Sequence, residues 1–108
     1  DALQGGITRI RLAGRMDFEA SAEIDEAFMA SARAAQALLV DLSKVTFLGS
    51  MGIRALISAA KAVRGRGGKM ILFGPEPDVT KVLTTCGTDT LIPIYYDLAL
   101  ARKALRPR

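Results

Sequence analysis

Ser50 is the side chain in this sequence with the clearest capacity for chemistry. It lies in the stretch Leu48-Gly49-Ser50-Met51-Gly52, which follows an apolar run and precedes a helical pattern. A serine in such a place suits three roles, because its hydroxyl can cap the helix, attack a substrate as a nucleophile, or accept a phosphate. The residues around Ser50 separate these roles.

The nucleophile role is the weakest of the three. A hydrolase elbow has the pattern Gly-x-Ser-x-Gly, and although Gly52 matches the second glycine, Leu48 occupies the place of the first. The sequence contains no histidine, so the usual base that activates a serine is missing. Neither Lys44 nor Lys61 stands at a spacing that favours a serine–lysine pair. We therefore expect no catalytic residue and no enzymatic activity.

The cap and phosphoacceptor roles both follow from the expected start of a helix. As an N-cap, the Ser50 hydroxyl would accept a hydrogen bond from an amide near Gly52 or Ile53. A phosphate on Ser50 would bring about −1.5 to −2 charges to the free amides and positive dipole end of the helix, which favour anions. Arg54 lies four residues further on, on a neighbouring face of the same helix. The residues leave both roles open.

Three other candidate sites have structural explanations. The glycine-rich run 65–69 closes a helix and opens a strand, the reverse of a phosphate-binding loop, so we predict a turn. Asp17 is placed to cap a helix, and with Asp41 it forms at most a pair of carboxylates, which is weak evidence for a metal. Cys86 is predicted to be a small core residue. We expect no metal site and no cofactor.

Composition limits the class of protein. The 108 residues suit one domain, 1–108, and half of them are hydrophobic, which is enough for a core. The net charge is +4, but the basic residues are dispersed and have few aromatic neighbours, so a solvated basic face is favoured over a nucleic-acid surface. No apolar run is long enough to span a membrane. The single cysteine fits a reducing cytoplasm.

Strand and helix patterns alternate along the chain. Residues 7–13 alternate between apolar and charged, as in a strand with one wet face, and residues 37–42 and 70–73 are apolar runs typical of covered parallel strands. Residues 91–95 predict a last strand at a sheet edge, because Pro93 lacks an amide hydrogen.

Helical patterns follow these strands and begin near four residues: Asp17, Ser50, Pro77 and Asp97. Gly87 is expected to end the third helix. The segment before Ile7 offers an additional antiparallel strand. The sequence thus predicts one α/β domain with a small, mostly parallel, mixed sheet and about four helices.

Taken in order, these segments resemble the STAS domain and, within it, the bacterial anti-sigma factor antagonists. The resemblance runs from "RIRLAGRMD" through "LLVDLSKVTFLGSMGIRAL" and "GGKMILFGPEPDVTKVLTTCGTDTLIPIYYD" to the last helix. It implies a regulatory protein without catalysis, which binds an anti-sigma factor that is a serine kinase, is phosphorylated at Ser50, and is reset by a phosphatase. It implies cytoplasmic action on sigma-factor-dependent transcription, with no direct contact to nucleic acid.

The neighbours of Ser50 are expected to contact that partner, namely Asp17, Gly49, Met51, Gly52 and Arg54. Members of the family often carry an acidic residue before the serine and a Ser or Thr after it, whereas this chain has Gly49 and Met51. This departure motivates an alternative, in which the domain is a scaffold or subunit of a lipid-transport, anion-transport or stress-signalling complex and is not switched by phosphate. Nucleotide binding by the domain is a third hypothesis, suggested by the basic charge and the helix start.

Overall fold

The fold is a five-stranded sheet with helices on both faces. It is seen in a computed structural model that describes residues 2–3, 6–16 and 28–106. The strands are β1 (Ala2–Leu3), β2 (Ile7–Met16), β3 (Ala37–Leu48), β4 (Lys69–Phe73) and β5 (Ile94–Tyr95). The helices are α1 (28–34), α2 (Ser50–Gly65), α3 (Pro77–Thr85), α4 (Thr88–Leu91) and α5 (Leu98–Leu105). None of the described helices has the length and apolar character needed to cross a membrane.

The strands lie in the sheet in the same order as in the sequence, β1-β2-β3-β4-β5. β1 pairs with β2 in an antiparallel direction, and the other neighbouring strands are parallel. The predicted α/β domain with a mostly parallel, mixed sheet is therefore confirmed. The sequence patterns predicted a last strand over residues 91–95 and did not predict the short helix α4. In the structure Leu91 is the last residue of α4, and β5 contains only Ile94–Tyr95.

The sheet is buried on both faces, as the apolar run in β3 predicts. Leu38 and Val40 face a large core that contains side chains from α1, α2 and α3, whereas Leu39 faces a smaller core beneath α5. All three side chains have no exposed surface. Successive strand residues point to opposite faces, so a continuous apolar run is what two covered faces require.

β3 is longer than predicted and carries two irregularities. It continues past Asp41 and Leu42 to Leu48, and its register with β2 shifts once between Arg11 and Ala13 and again between Gly14 and Arg15. Each shift inserts one extra β3 residue, as a β-bulge does. The bulges break the two-residue period of burial, so alternation alone could not extend the strand this far.

α3 and α5 follow their predicted boundaries, with one correction. Gly87 has φ 74°, the left-handed conformation that ends a helix, and the Asp97 carboxylate accepts a hydrogen bond from the Leu100 amide at 3.1 Å as the α5 cap. Val79 and Leu83 of α3 are buried, but Cys86, which was predicted to be a small core residue, is exposed. Cys86 lies one residue beyond the last residue of α3, so its side chain does not continue the inner face of the helix.

The glycine-rich run after α2 is a turn, as predicted. Gly67 has φ 79° and its amide bonds the Arg64 carbonyl at 2.9 Å, while the Gly68 amide bonds the Val63 carbonyl at 3.0 Å. This pair of bonds is the Schellman motif, which closes a helix C-terminus. The Gly67 and Gly68 amides bond the helix and the Lys69 amide bonds the Gln36 carbonyl, so these amides are not arranged around a phosphate.

Basic side chains in this run and next to it donate hydrogen bonds to carbonyls at the C-terminal ends of helices. Arg66 donates to the carbonyls of Ala32 and Ala35, at the end of α1, and to Ala62 near the end of α2. Arg64 donates to the Leu91 carbonyl, the last of α4, and Lys69 to a carbonyl in the last turn of α5. Helix C-termini carry partial negative charge and unpaired carbonyls, so these cations stabilise the fold where the helices end.

Candidate functional site

The start of α2 presents Ser50 to solvent. Gly49 is the N-cap, with an extended backbone (φ −91°, ψ 177°), and its amide donates to the Met16 carbonyl at 3.1 Å. This bond ties the residue before Ser50 to the end of β2, so Ser50 is already the first helical residue. No side-chain hydrogen bond caps α2. The interpretation of Ser50 as the helix cap is therefore wrong, and its exposed hydroxyl is not committed to that role.

The first turn of α2 favours a negative charge. Its first intrahelical hydrogen bond runs from the Ile53 amide to the Gly49 carbonyl at 3.1 Å, so the amides of Ser50, Met51 and Gly52 precede the helical ladder. No acidic residue occupies this turn. The positive end of the helix dipole is thus not compensated by a carboxylate within the turn.

Gly52 allows the helix start to lie close against the end of β2. A Cβ atom at this position would lie 2.8 Å from Leu48 Cδ1 and 2.9 Å from the Met16 carbonyl oxygen. The second distance involves backbone, which cannot rotate away. Gly52 is buried, and a larger residue would not fit against β2. A glycine is therefore needed here for the close packing that positions Ser50.

Gly52→Ala is expected to lower the free energy of unfolding by about 1–3 kcal/mol, because the added methyl group overpacks the contact with Met16 and Leu48. A glycine-to-alanine change inside a helix otherwise stabilises by about 1 kcal/mol. Urea unfolding followed by circular dichroism measures the difference. Ser58→Ala, on the exposed surface of the same helix, is the control and should not destabilise. A stabilised Gly52→Ala protein would contradict the close approach.

Two further predicted contact residues flank Ser50 at the surface. Met51 is 36% exposed and Arg54 is exposed, both on α2, and Gly49 is half-buried. Asp17 lies outside the described residues, so its predicted roles as a helix cap and partner contact stay predictions. The expectation that these residues bind a partner remains a proposal.

Asp41 belongs to the middle of β3 and not to the start of α2. Its carboxylate accepts hydrogen bonds from the Ser43 amide at 2.9 Å and the Ser43 hydroxyl at 2.7 Å, and seven positions separate it from Leu48 at the end of the strand. Both of these local bonds end on Oδ1 of the carboxylate. No group of at least three histidine, cysteine or acidic residues that could hold a metal occurs within the described part of the chain.

Phe47 and Arg15 form a surface feature that sequence reasoning did not select. They are directly opposite in the β2–β3 pairing, and the Arg15 guanidinium carbon lies 4.4 Å from the centre of the Phe47 ring. Phe47 is 42% exposed and lies three residues before Ser50 in the sequence. The two bulges of β3 bring Phe47 opposite Arg15, a pairing that the alternation of residues along the strand does not reveal.

The comparisons with known proteins agree with the fold and the earlier resemblance. The STAS domain model matches residues 2–101. The chain is 27% identical over 94 residues to the anti-sigma F factor antagonist of Paenibacillus polymyxa, which covers 83% of this chain and 79% of the relative. The crystal structure of an anti-sigma factor antagonist from Mycobacterium paratuberculosis has a TM-score of 0.85 at 26% identity, covering 94% of this chain and 87% of that one.

A third similar structure is the phosphorylated form of the Bacillus cell fate determinant SpoIIAA. It has a TM-score of 0.72 at 18% identity and covers 96% of each chain, a likeness that shows the fold alone. The family model, in contrast, spans nearly the whole sequence. The chain belongs to the STAS domain family.

Proposed function

We propose that this STAS domain is an anti-sigma factor antagonist that acts by binding and is switched by phosphorylation of Ser50. The observation that carries the proposal is the exposed Ser50 hydroxyl at the first helical position of α2, where it makes no capping bond. The names of the Paenibacillus and Mycobacterium relatives support the antagonist role. The phosphorylated Bacillus structure supports phosphate as a modification compatible with this fold.

A phosphate on Ser50 would change the surface and leave the fold in place. It adds about −1.5 to −2 charges beside amides that precede the helical ladder of α2. The dipole of a 16-residue helix and the absence of an acidic residue from its first turn both favour that charge. Since Ser50 is exposed, phosphorylation requires no core side chain to move. The modification therefore acts on partner binding.

The partner in this proposal is an anti-sigma factor with serine kinase activity, and a phosphatase removes the phosphate, both in the cytoplasm. The unmodified form binds the anti-sigma factor and frees the sigma factor. Met51 and Arg54 are the exposed predicted contacts beside Ser50, and Gly49 and Gly52 hold the helix start against β2. The antagonist itself performs no catalysis, in keeping with a sequence that has no histidine to activate Ser50.

Incubation with the cognate kinase and ATP is expected to add one phosphate, which tryptic mass spectrometry places on Ser50. The sequence has other exposed hydroxyls for comparison, so Ser58→Ala is a matched control on the same helix. That variant should be phosphorylated like the parent, whereas Ser50→Ala should not be modified. Phosphate on a residue other than Ser50 would contradict the switch and favour the scaffold role. The same conclusion would follow if no phosphate were added by a kinase that phosphorylates a control substrate.

A further inference from the structure

The outer side of α2 carries a line of residues that begins at Ser50. Four residues at steps of three and four lie along this side of the helix, and we call them the α2 stripe: Ser50, Arg54, Ile57 and Lys61. Three of them are exposed and Ile57 is half-buried. The buried residues of α2 lie on the opposite side, where they pack into the larger core. The α2 stripe therefore faces away from the sheet over about three turns of the helix.

The charge of the α2 stripe is entirely positive. α2 contains three basic residues and no acidic residue. Arg64, the last of the three, donates to the Leu91 carbonyl. Arg54 and Lys61, in contrast, make no hydrogen bond or ion pair with the residues that the structure describes. These two cations stand about 10 Å apart along the helix axis and are available to an acidic ligand.

The make-up of the α2 stripe favours a protein as that ligand. Proteins that bind nucleic acid make about six to ten phosphate contacts, often with aromatic side chains on which bases stack. The α2 stripe offers two cations, and α2 has no aromatic residue. Ile57 lies between the cations, and Met51 beside them is 36% exposed, so apolar side chains of a partner find contacts here. Two copies of this chain placed stripe to stripe would bring like charges together, which disfavours a dimer.

We propose that the α2 stripe docks a row of acidic side chains on the anti-sigma factor, with one carboxylate facing Arg54 and another facing Lys61. This inference rests on the proposed function and adds the charge of the partner and the extent of the contact. Ser50 is the first residue of the stripe, so a phosphate there stands at the end of the docking surface. Its charge repels the acidic row and attracts Arg54, one turn away, from its carboxylate.

The test measures the Kd and the association rate of the full, unphosphorylated chain with the purified anti-sigma factor at low ionic strength. Arg54→Gln and Lys61→Gln are each expected to raise Kd about 2- to 5-fold, mainly through slower association. About 0.5 M salt should remove most of this difference, because it screens exposed charges. The two losses should add in the double variant, since the two sites are about 10 Å apart.

Lys61 is the more informative of the two positions, because it lies about 16 Å along the helix from Ser50 and outside the first turn. Lys61→Arg keeps the positive charge and should bind like the parent. Lys103→Gln removes the same charge from an exposed position on α5, which covers the opposite face of the sheet, and should also bind like the parent. Thermal unfolding of each variant verifies that the fold is intact.

The outcomes separate the two proposals. Arg54→Gln and Lys61→Gln that match the parent at low salt would overturn the docking surface and leave the antagonist function standing. An equal loss in Lys103→Gln would also overturn it, because net charge would then explain the effect. Binding of a DNA duplex or self-association of the parent, abolished by Lys61→Gln while anti-sigma factor binding is unchanged, would assign the α2 stripe to another ligand and overturn the proposal. A parent protein that fails to bind any purified anti-sigma factor would overturn both proposals.

Discussion

Gly68→Ala is expected to lower the free energy of unfolding by about 2–4 kcal/mol, one of the largest effects of a single methyl group in this protein. A Cβ atom on Gly68 would lie 2.4 Å from the Gln36 carbonyl oxygen and 2.9 Å from Val63 Cγ1. The Gln36 carbonyl already accepts a hydrogen bond from the Lys69 amide at 2.9 Å, so the methyl group would separate the first residues of β3 and β4.

Gly65→Ala is the matched control for this measurement. Gly65 is the last residue of α2, and a Cβ atom there meets nothing within 4 Å. The change should therefore stabilise by about 0.4–1 kcal/mol, because alanine restricts the unfolded chain without a clash. Chemical unfolding of both variants gives the comparison. Equal stability of Gly68→Ala and Gly65→Ala would show that the turn does not approach Gln36 as described.

Arg66→Ala is expected to destabilise by about 1.5–3 kcal/mol, since it removes a cation that donates to carbonyls at two helix ends. The Ala32 and Ala35 carbonyls at the end of α1 would lose this charged donor. Arg66→Lys should recover part of the loss, because a lysine supplies the charge but not the planar fork that reaches both helices.

Lys61→Ala is the control for charge alone, since Lys61 is an exposed cation earlier in α2. It should change the midpoint of urea unfolding little, as exposed surface substitutions usually do. Hydrogen exchange gives a second readout, and in Arg66→Ala the amides of residues 31–35 should exchange faster than those of α3. Lys61→Ala and Arg66→Ala with the same midpoint would contradict the role of Arg66 in joining the helices.

Much of the fold followed from patterns that depend on local physics. The continuous apolar run at 37–42 predicted a strand covered on both faces, and α2 and α5 supplied the two covers over β3. The last helix was predicted to begin near Asp97, and the Asp97 carboxylate accepts a hydrogen bond from the Leu100 amide at the start of α5. These inferences were confirmed because the spacing of apolar residues and the chemistry of a helix cap are both determined by residues that are close in the sequence.

The parts that failed depended on long-range contacts. The residues left Ser50 open as a cap or a phosphoacceptor, whereas in the structure the cap is Gly49, whose amide donates to the Met16 carbonyl. Phe47 and Arg15 were not chosen as surface residues because β3 needs two bulges to bring them opposite each other. Cys86 was assigned to the core because the helical period was continued one residue too far.

The basic residues at the end of α2 and in the turn after it show a similar limit. Their charge suggested a solvated face, and they are indeed exposed, but Arg64 and Arg66 also donate to carbonyls of helices that are far away in sequence. No local pattern identifies such a partner, because the carbonyls belong to alanine and leucine residues whose side chains carry no polar signal. The topology, which brings helix ends together at one sheet edge, creates this role.

The central claim, that phosphate on Ser50 controls binding to an anti-sigma factor, is tested most directly by comparing the Kd of two forms of the full chain. One form is unmodified and the other carries phosphoserine at position 50, installed during synthesis so that the result does not depend on a kinase. The unmodified chain and Ser50→Ala should bind alike, and the phosphorylated chain more than about 10-fold more weakly, a loss of about 1.4 kcal/mol or greater. Equal Kd values for the unmodified and phosphorylated chains would contradict the switch.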